Sequence, residues 1–174
     1  MSQHSAWIVY LQSLGWEAAV KIALAALLGA VVGLERDWGG HPAGIRTNMV
    51  IAISSCLFTT LSIEGFPLRG SAQDTARVAA QIVTGVGFLG AGVVLQNREH
   101  VRGLTTAATI WLVAAIGMAV GTGLYFLAIF TTVFSTVLVV LLAPFSHRLE
   151  KRVLDQPEMH QDTQENGAVR MDTE

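Results

Sequence analysis

Charge is scarce in this sequence and unevenly spread. Asp, Glu, Lys and Arg make up only 14% of its 174 residues, against roughly a quarter in an ordinary soluble domain. None of them lies between Arg77 and Arg98, or between Arg102 and Arg148. A single helix across the second gap would run about 65 Å, twice the ~30 Å of a hydrocarbon core, so two passes fit it and one does not. Arg46 to Glu64 is also uncharged, and Glu17 to Glu35 is broken only by Lys21. Each is close to the roughly 17-residue minimum for a span. These gaps point to an integral membrane protein.

Other shortages exclude other classes. The one cysteine, Cys56, sits in an apolar run. That rules out a disulfide framework within the chain and suits a small packing residue better than a nucleophile. No basic residue precedes Glu17, so the n-region of a cleavable signal peptide is missing. No basic stripe with interleaved aromatics is present, which sets nucleic acid aside as a partner. Ser54 and Ser55 have no histidine nearby in sequence, and all five histidines fall outside the apolar segments. With no His/Cys cluster at metal spacing and no Walker loop, neither an enzyme nor a bound cofactor is expected.

What is present is an all-α integral membrane protein of about five transmembrane helices. The apolar segments predict helices at 18–35, 47–63, 76–96, 104–120 and 123–144. Residues 1–17 form an N-terminal segment, 18–145 the transmembrane domain, and 146–174 a basic stub and polar tail. In the leader, Trp7, Tyr10 and Trp16 suit an amphipathic helix lying on the lipid surface. The tail after Leu154, acidic and almost without apolar residues, is expected to be disordered. Of the eleven Lys and Arg residues, Lys21, Arg69 and Arg77 fall on one side of the spans and the other eight on the opposite side. The positive-inside rule therefore places the 36–46 and 97–103 loops and the C-terminus in the cytoplasm, with the N-terminus outside.

Residues 85–92, GVGFLGAG, spell a dinucleotide fingerprint. That motif needs a strand before it and an acidic residue about twenty positions on. Here an apolar helical segment precedes it, and the next acid is Glu99. Small residues in a membrane helix instead let backbones approach closely. Gly85, Gly87, Gly90 and Gly92 are therefore assigned to helix packing, as are Gly29, Gly33, Gly117 and Gly121. Such glycine density also leaves open a locally unwound third helix, of the kind that lines sites in transporters.

Polar groups in lipid are costly unless paired. Three clusters therefore stand out: Glu35 and Arg36 with Arg46, Thr47 and Asn48; Arg77, Gln81 and Thr84 along one face of helix three; and Arg102 with Thr105, Thr106 and Thr109. Thr47 or Asn48 is placed to cap the second helix. Glu35 is expected to pair with Arg36, Arg46 or Arg102. A Mg²⁺ site on Glu35 and Asp37, with His41 as a further donor, is the weaker alternative to solvated loop charges. A faint internal echo, GAVVGL at 29–34 with GAGVVL at 90–95 and GIRT at 44–47 with GLTT at 103–106, raises a parallel repeat of helix hairpins 1–2 and 3–4.

The longer words GLER, PAGIRTNMV, ARVAAQIVTGVGFLGAGVVL and VRGLTTAATIWLVAAIGMAVG occur in this order across about residues 20–125. They closely resemble the MgtC/SapB family of bacterial inner-membrane proteins. The resemblance implies a link to Mg²⁺ homeostasis, growth at low Mg²⁺ and virulence-type adaptation inside macrophages. It also implies a regulator that binds other membrane proteins, the F-type ATP synthase among them, more than a Mg²⁺ transporter. By matching position, the family's signature polar residues are Glu35, Arg36, Arg46, Thr47, Asn48, Arg77, Gln81, Arg102, Thr105 and Thr106. Longer members carry a cytosolic domain resembling an ACT module. The short polar tail here makes the SapB-like type the nearer match. Two functions compete: a non-enzymatic regulator, with glycine faces packed against a partner or in a homo-oligomer, and an ion transporter or channel with a polar path lined by helices 2–4.

Overall fold

The uncharged segments fold as rods, each ending close to where charge or turn residues return. The structure, a computed structural model, describes residues 3–65, 76–95 and 103–154. Helix α1 spans Gln3–Trp38, α2 Ile45–Thr60, α3 Ala76–Leu95, α4 Leu104–Gly121 and α5 Tyr125–Leu154. No strand occurs among the described residues. Four stretches are long and apolar enough to cross a membrane: Gly15–Trp38, Ile45–Glu64, Leu104–Gly121 and Tyr125–Leu142. A shorter apolar run, Ala79–Val94, lies in α3. The chain is thus an all-helical membrane protein of about five helices.

The helix ends differ from the expected ones in instructive places. The leader and first span form one continuous helix of 36 residues, with no break near residue 17. Gly15 is its one poor helix former before Gly29 and proline is absent, so nothing in the leader sequence halts propagation. Helix α5 likewise continues past 144 to Leu154, through a stub (RLEKRVL) rich in good helix formers. Helix α2 closes in a single π-helical turn, Leu61–Gly65. The 66–75 connection with Pro67, the 96–102 connection and the tail after Leu154 lie outside the described residues, as do the side chains of Trp7 and Tyr10.

The chain divides into two compact units, Met1–Thr136 and Val137–Glu174. In the first, α1 packs on α2, α2 on α4, and α4 also contacts α1. Helix α3 rests mainly on α4 and only lightly on α2. Ala25, Leu28 and Val32 from α1, Ile51, Ala52 and Cys56 from α2, and Ile110, Val113, Ile116 and Val120 from α4 form the buried core. Small residues explain the closeness, because backbones in lipid associate through van der Waals contact. A Cβ built on Gly33 would collide with the Ile45 backbone, and one on Gly117 with the Ala52 carbonyl. Gly29 and Gly121 would place theirs 2.7 and 2.8 Å from the carbonyl oxygens of Asn48 and Cys56.

The third-helix glycines behave differently. Within 4 Å of a Cβ built on Gly85, Gly87 or Gly92 there is nothing, and Gly90 meets only Ala107, at 3.5 Å. Inside one chain, then, Gly85, Gly87 and Gly92 are not packing glycines. They border open space instead: Gly85 lines a groove between α2 and α3, and Gly87 a shallow one between α3 and α4. Large apolar side chains such as Val50, Phe58, Phe88 and Phe126 are exposed, as a lipid-facing surface requires. Along the start of α5, Phe126, Phe130 and Phe134 stack successively, with ring centroids 6.3 and 5.8 Å apart. In the second unit, Val137, Leu138, Val140, Leu141 and Leu142 are exposed.

Candidate functional site

The last turn of α1, the loop after it and the first turns of α2 and α4 gather most of the expected polar residues at one end of the bundle. Arg36 is its centre. The side chain sits in the last turn of α1, where a cation suits the negative helix end. It is nevertheless only 1% exposed. Its Nη2 donates to Thr106 Oγ1 at 3.1 Å, across seventy residues of chain. Glu35 Oε2 lies 3.9 Å from Nη1, a loose ion pair. Of the three partners proposed for Glu35, Arg36 is therefore the one found; Arg46 is exposed and Arg102 lies outside the described residues. Arg36 Nε is buried with no hydrogen-bond partner.

The loop at 39–44 doubles the chain back by adopting left-handed backbone at Gly40 (φ 66°) and, unusually for a side-chain-bearing residue, at Ala43 (φ 59°). This fold-back decides how α2 begins. Neither Thr47 nor Asn48 caps it, because both already lie within the helix. The N-cap is Gly44, and the Ile45 N–H donates to Asp37 Oδ2 at 3.0 Å. The Asp37 carboxylate fills the space that a Cβ on Gly44 would need. Asn48, fully buried, instead braces the loop, its Nδ2 donating to the carbonyls of Ala43 and Gly44 (3.0 Å for the second). Its Oδ1 is buried without a partner.

The rest of the expected set is more scattered. Thr106 joins Arg36, whereas Thr105, Arg46 and Thr47 are exposed. Arg77 and Gln81 are exposed on α3. Gln81 helps line a mostly apolar groove of about 610 Å³ between α2 and α3, with Ser54, Ser55, Phe58 and Phe88. Threonine hydroxyls largely turn back on their own helices: Thr59 donates to Ser55 O, Thr84 to Ala80 O, Thr109 to Thr105 O and Thr132 to Ala128 O. Glu35 and Asp37 do not fit a resident Mg²⁺ site. Their carboxylates face Arg36 and Ile45, and no group of three His, Cys, Asp or Glu side chains converges among the described residues.

One polar pair escaped the sequence. Lys21 Nζ lies 2.7 Å from Glu64 Oε1, joining α1 to the π-helical turn after α2. Lys21 is only 8% exposed. A cation and an anion, each in apolar surroundings and at the same end of a two-helix hairpin, were the available signal. Their complementarity is invisible along the chain because 43 residues separate them and only the α1–α2 hairpin brings them together.

Residues 22–148 match the MgtC family. YhiD of Escherichia coli K12, by its name a candidate magnesium transporter, is 40% identical over 155 residues, which cover 87% of this chain and 70% of that one. The protein SapB of Bacillus subtilis strain 168 is 45% identical over 111 residues, covering 61% of this chain and 48% of SapB. The protein MgtC of Brucella abortus strain 2308 is 42% identical over 132 residues, covering 76% of this chain and 54% of MgtC. The chain thus spans about half the length of the last two. No solved structure matches. The chain belongs to the MgtC family.

Proposed function

We propose that this MgtC-family chain is a non-enzymatic bacterial inner-membrane protein that acts on other membrane proteins during adaptation to low Mg²⁺, and that it carries no ion itself. The observation that supports this most is the closed contact of α1, α2 and α4. Backbones meet at Gly29, Gly33, Gly117 and Gly121, with no room for a Cβ at those crossings. The threonines that a polar path would use hydrogen-bond to their own backbones instead. No acid is placed mid-span to relay a cation, since Glu35 and Glu64 lie at helix ends. The open glycines of α3 suit a neighbouring helix, from a second copy or from a partner of the F-type ATP synthase kind. The charge distribution supports a cytoplasmic C-terminus and an external N-terminus.

Transport is the second reading. The name of YhiD favours it, as does the groove beside Gln81. Purified full-length chain in liposomes separates the two. Mg²⁺ and proton flux equal to that of empty vesicles is expected. Selective flux that Gln81→Leu abolishes would overturn the regulator.

A further inference from the structure

We propose that the groove between α2 and α3 holds a single anionic phospholipid, one acyl chain lying along it and the phosphate at Arg77. The groove encloses about 610 Å³, bounded by Val50, Ile51 and Phe58 of α2 and by Ile82, Val86 and Leu89 of α3. On α3 it runs from Gln81 to Leu89, a rise of about 12 Å, close to half of a ~30 Å hydrocarbon core. It therefore has the depth of one leaflet. Gly85 keeps it open: nothing lies within 4 Å of a Cβ built there, although glycine weakens a helix.

One end of the groove is polar, and this identifies the occupant. Gln81 lies inside the apolar run Ala79–Val94, yet it is exposed, and its amide has no hydrogen bond among the described residues. Arg77, one turn earlier on the same face, is exposed too, and no carboxylate among the described residues pairs with it. Helical side chains lean toward the N-terminus, so both reach out toward the bilayer surface at the start of α3. An apolar helix lying in the groove offers neither of them a partner. A second copy facing this one about an axis along the membrane normal brings its own Arg77 to the same level, a like charge. An anionic phospholipid satisfies both groups: its ester carbonyl accepts from the amide and its phosphate from the guanidinium, while the alkyl chain covers the apolar walls.

The full chain is purified in detergent and mixed with phosphatidylglycerol or with diacylglycerol of the same acyl chains. Native mass spectrometry then counts the lipid that each chain retains. The wild-type chain is expected to keep one phosphatidylglycerol and no diacylglycerol. Gly85→Leu fills the groove without striking a neighbour and abolishes retention, whereas Gly92→Leu, on α3 but outside the groove, preserves it. Arg77→Gln raises the half-saturating lipid concentration about tenfold, the typical loss of a hydrogen bond to a charged group. Equal retention of the two lipids, or undiminished retention in Gly85→Leu or Arg77→Gln, overturns the proposal. So does a dimer of the chain that Gly85→Leu dissolves, since the groove then holds a second copy.

Discussion

At the scale of single residues, the molecule separates charges that hold it together from charges that merely end its helices. Arg36 in the last turn of α1 and Lys21 midway along the same helix are both buried cations, yet their neighbours differ: a hydroxyl and a distant carboxylate for Arg36, a close carboxylate for Lys21. Removing one member of a buried pair leaves the other uncompensated, a loss of 3–5 kcal/mol when burial is complete. Glu64 is partly exposed, so Lys21→Met or Glu64→Gln is expected to cost about 1–3 kcal/mol in detergent unfolding. The double variant Lys21→Met/Glu64→Leu is expected to recover most of that, and strictly additive losses would show that the pair contributes nothing. That Arg36 belongs to a polar cluster needing partners is legible in the sequence from the cost of charge in lipid. Its partner is not, because Thr106 lies seventy residues away and only the fold joins them. The capping role of Asp37 was hidden for a related reason: it depends on the left-handed turn at Ala43, which residue preference disfavours.

At the scale of helices, the same small residue has opposite meanings. Gly33→Ala and Gly117→Ala each drive a methyl into a neighbouring backbone, which cannot yield as a side-chain tip can. Overpacking of this kind costs about 1–3 kcal/mol or prevents assembly. Gly85→Ala meets open space and gains up to ~1 kcal/mol of helix propensity, so the isolated chain is expected to gain stability. Unfolding temperatures of the three variants in one detergent check the contrast. A loss at Gly85 comparable to that at Gly33 would mean that α3 is covered in solution by a second chain. That there are five helices followed from the charge gaps and the glycine turn at 121–123, whereas the run of α1 through the leader, the run of α5 through the stub and the role of each glycine did not. A spacing of small residues marks one face of a helix but does not say whether a neighbour lies against it.

At the scale of the whole molecule, orientation can be tested with the chain's own chemistry. Cys56 is its only cysteine and is fully buried, so the native protein is nearly silent to thiol reagents. His41→Cys, in the exposed loop after α1, is expected to react with an impermeant maleimide in inverted vesicles and not in intact spheroplasts. Labelling from the outside would reverse the assignment of the two faces. The light contact of α3 with α2, across the groove lined by Gln81 and Phe58, has a mechanical consequence. Atoms bordering a gap forfeit part of their dispersion attraction, so the bundle has a seam. Amide hydrogens of α3 will trade with deuterium in micelles well before those of the braced trio, as loosely held segments do. Whatever prises this molecule open begins along that line.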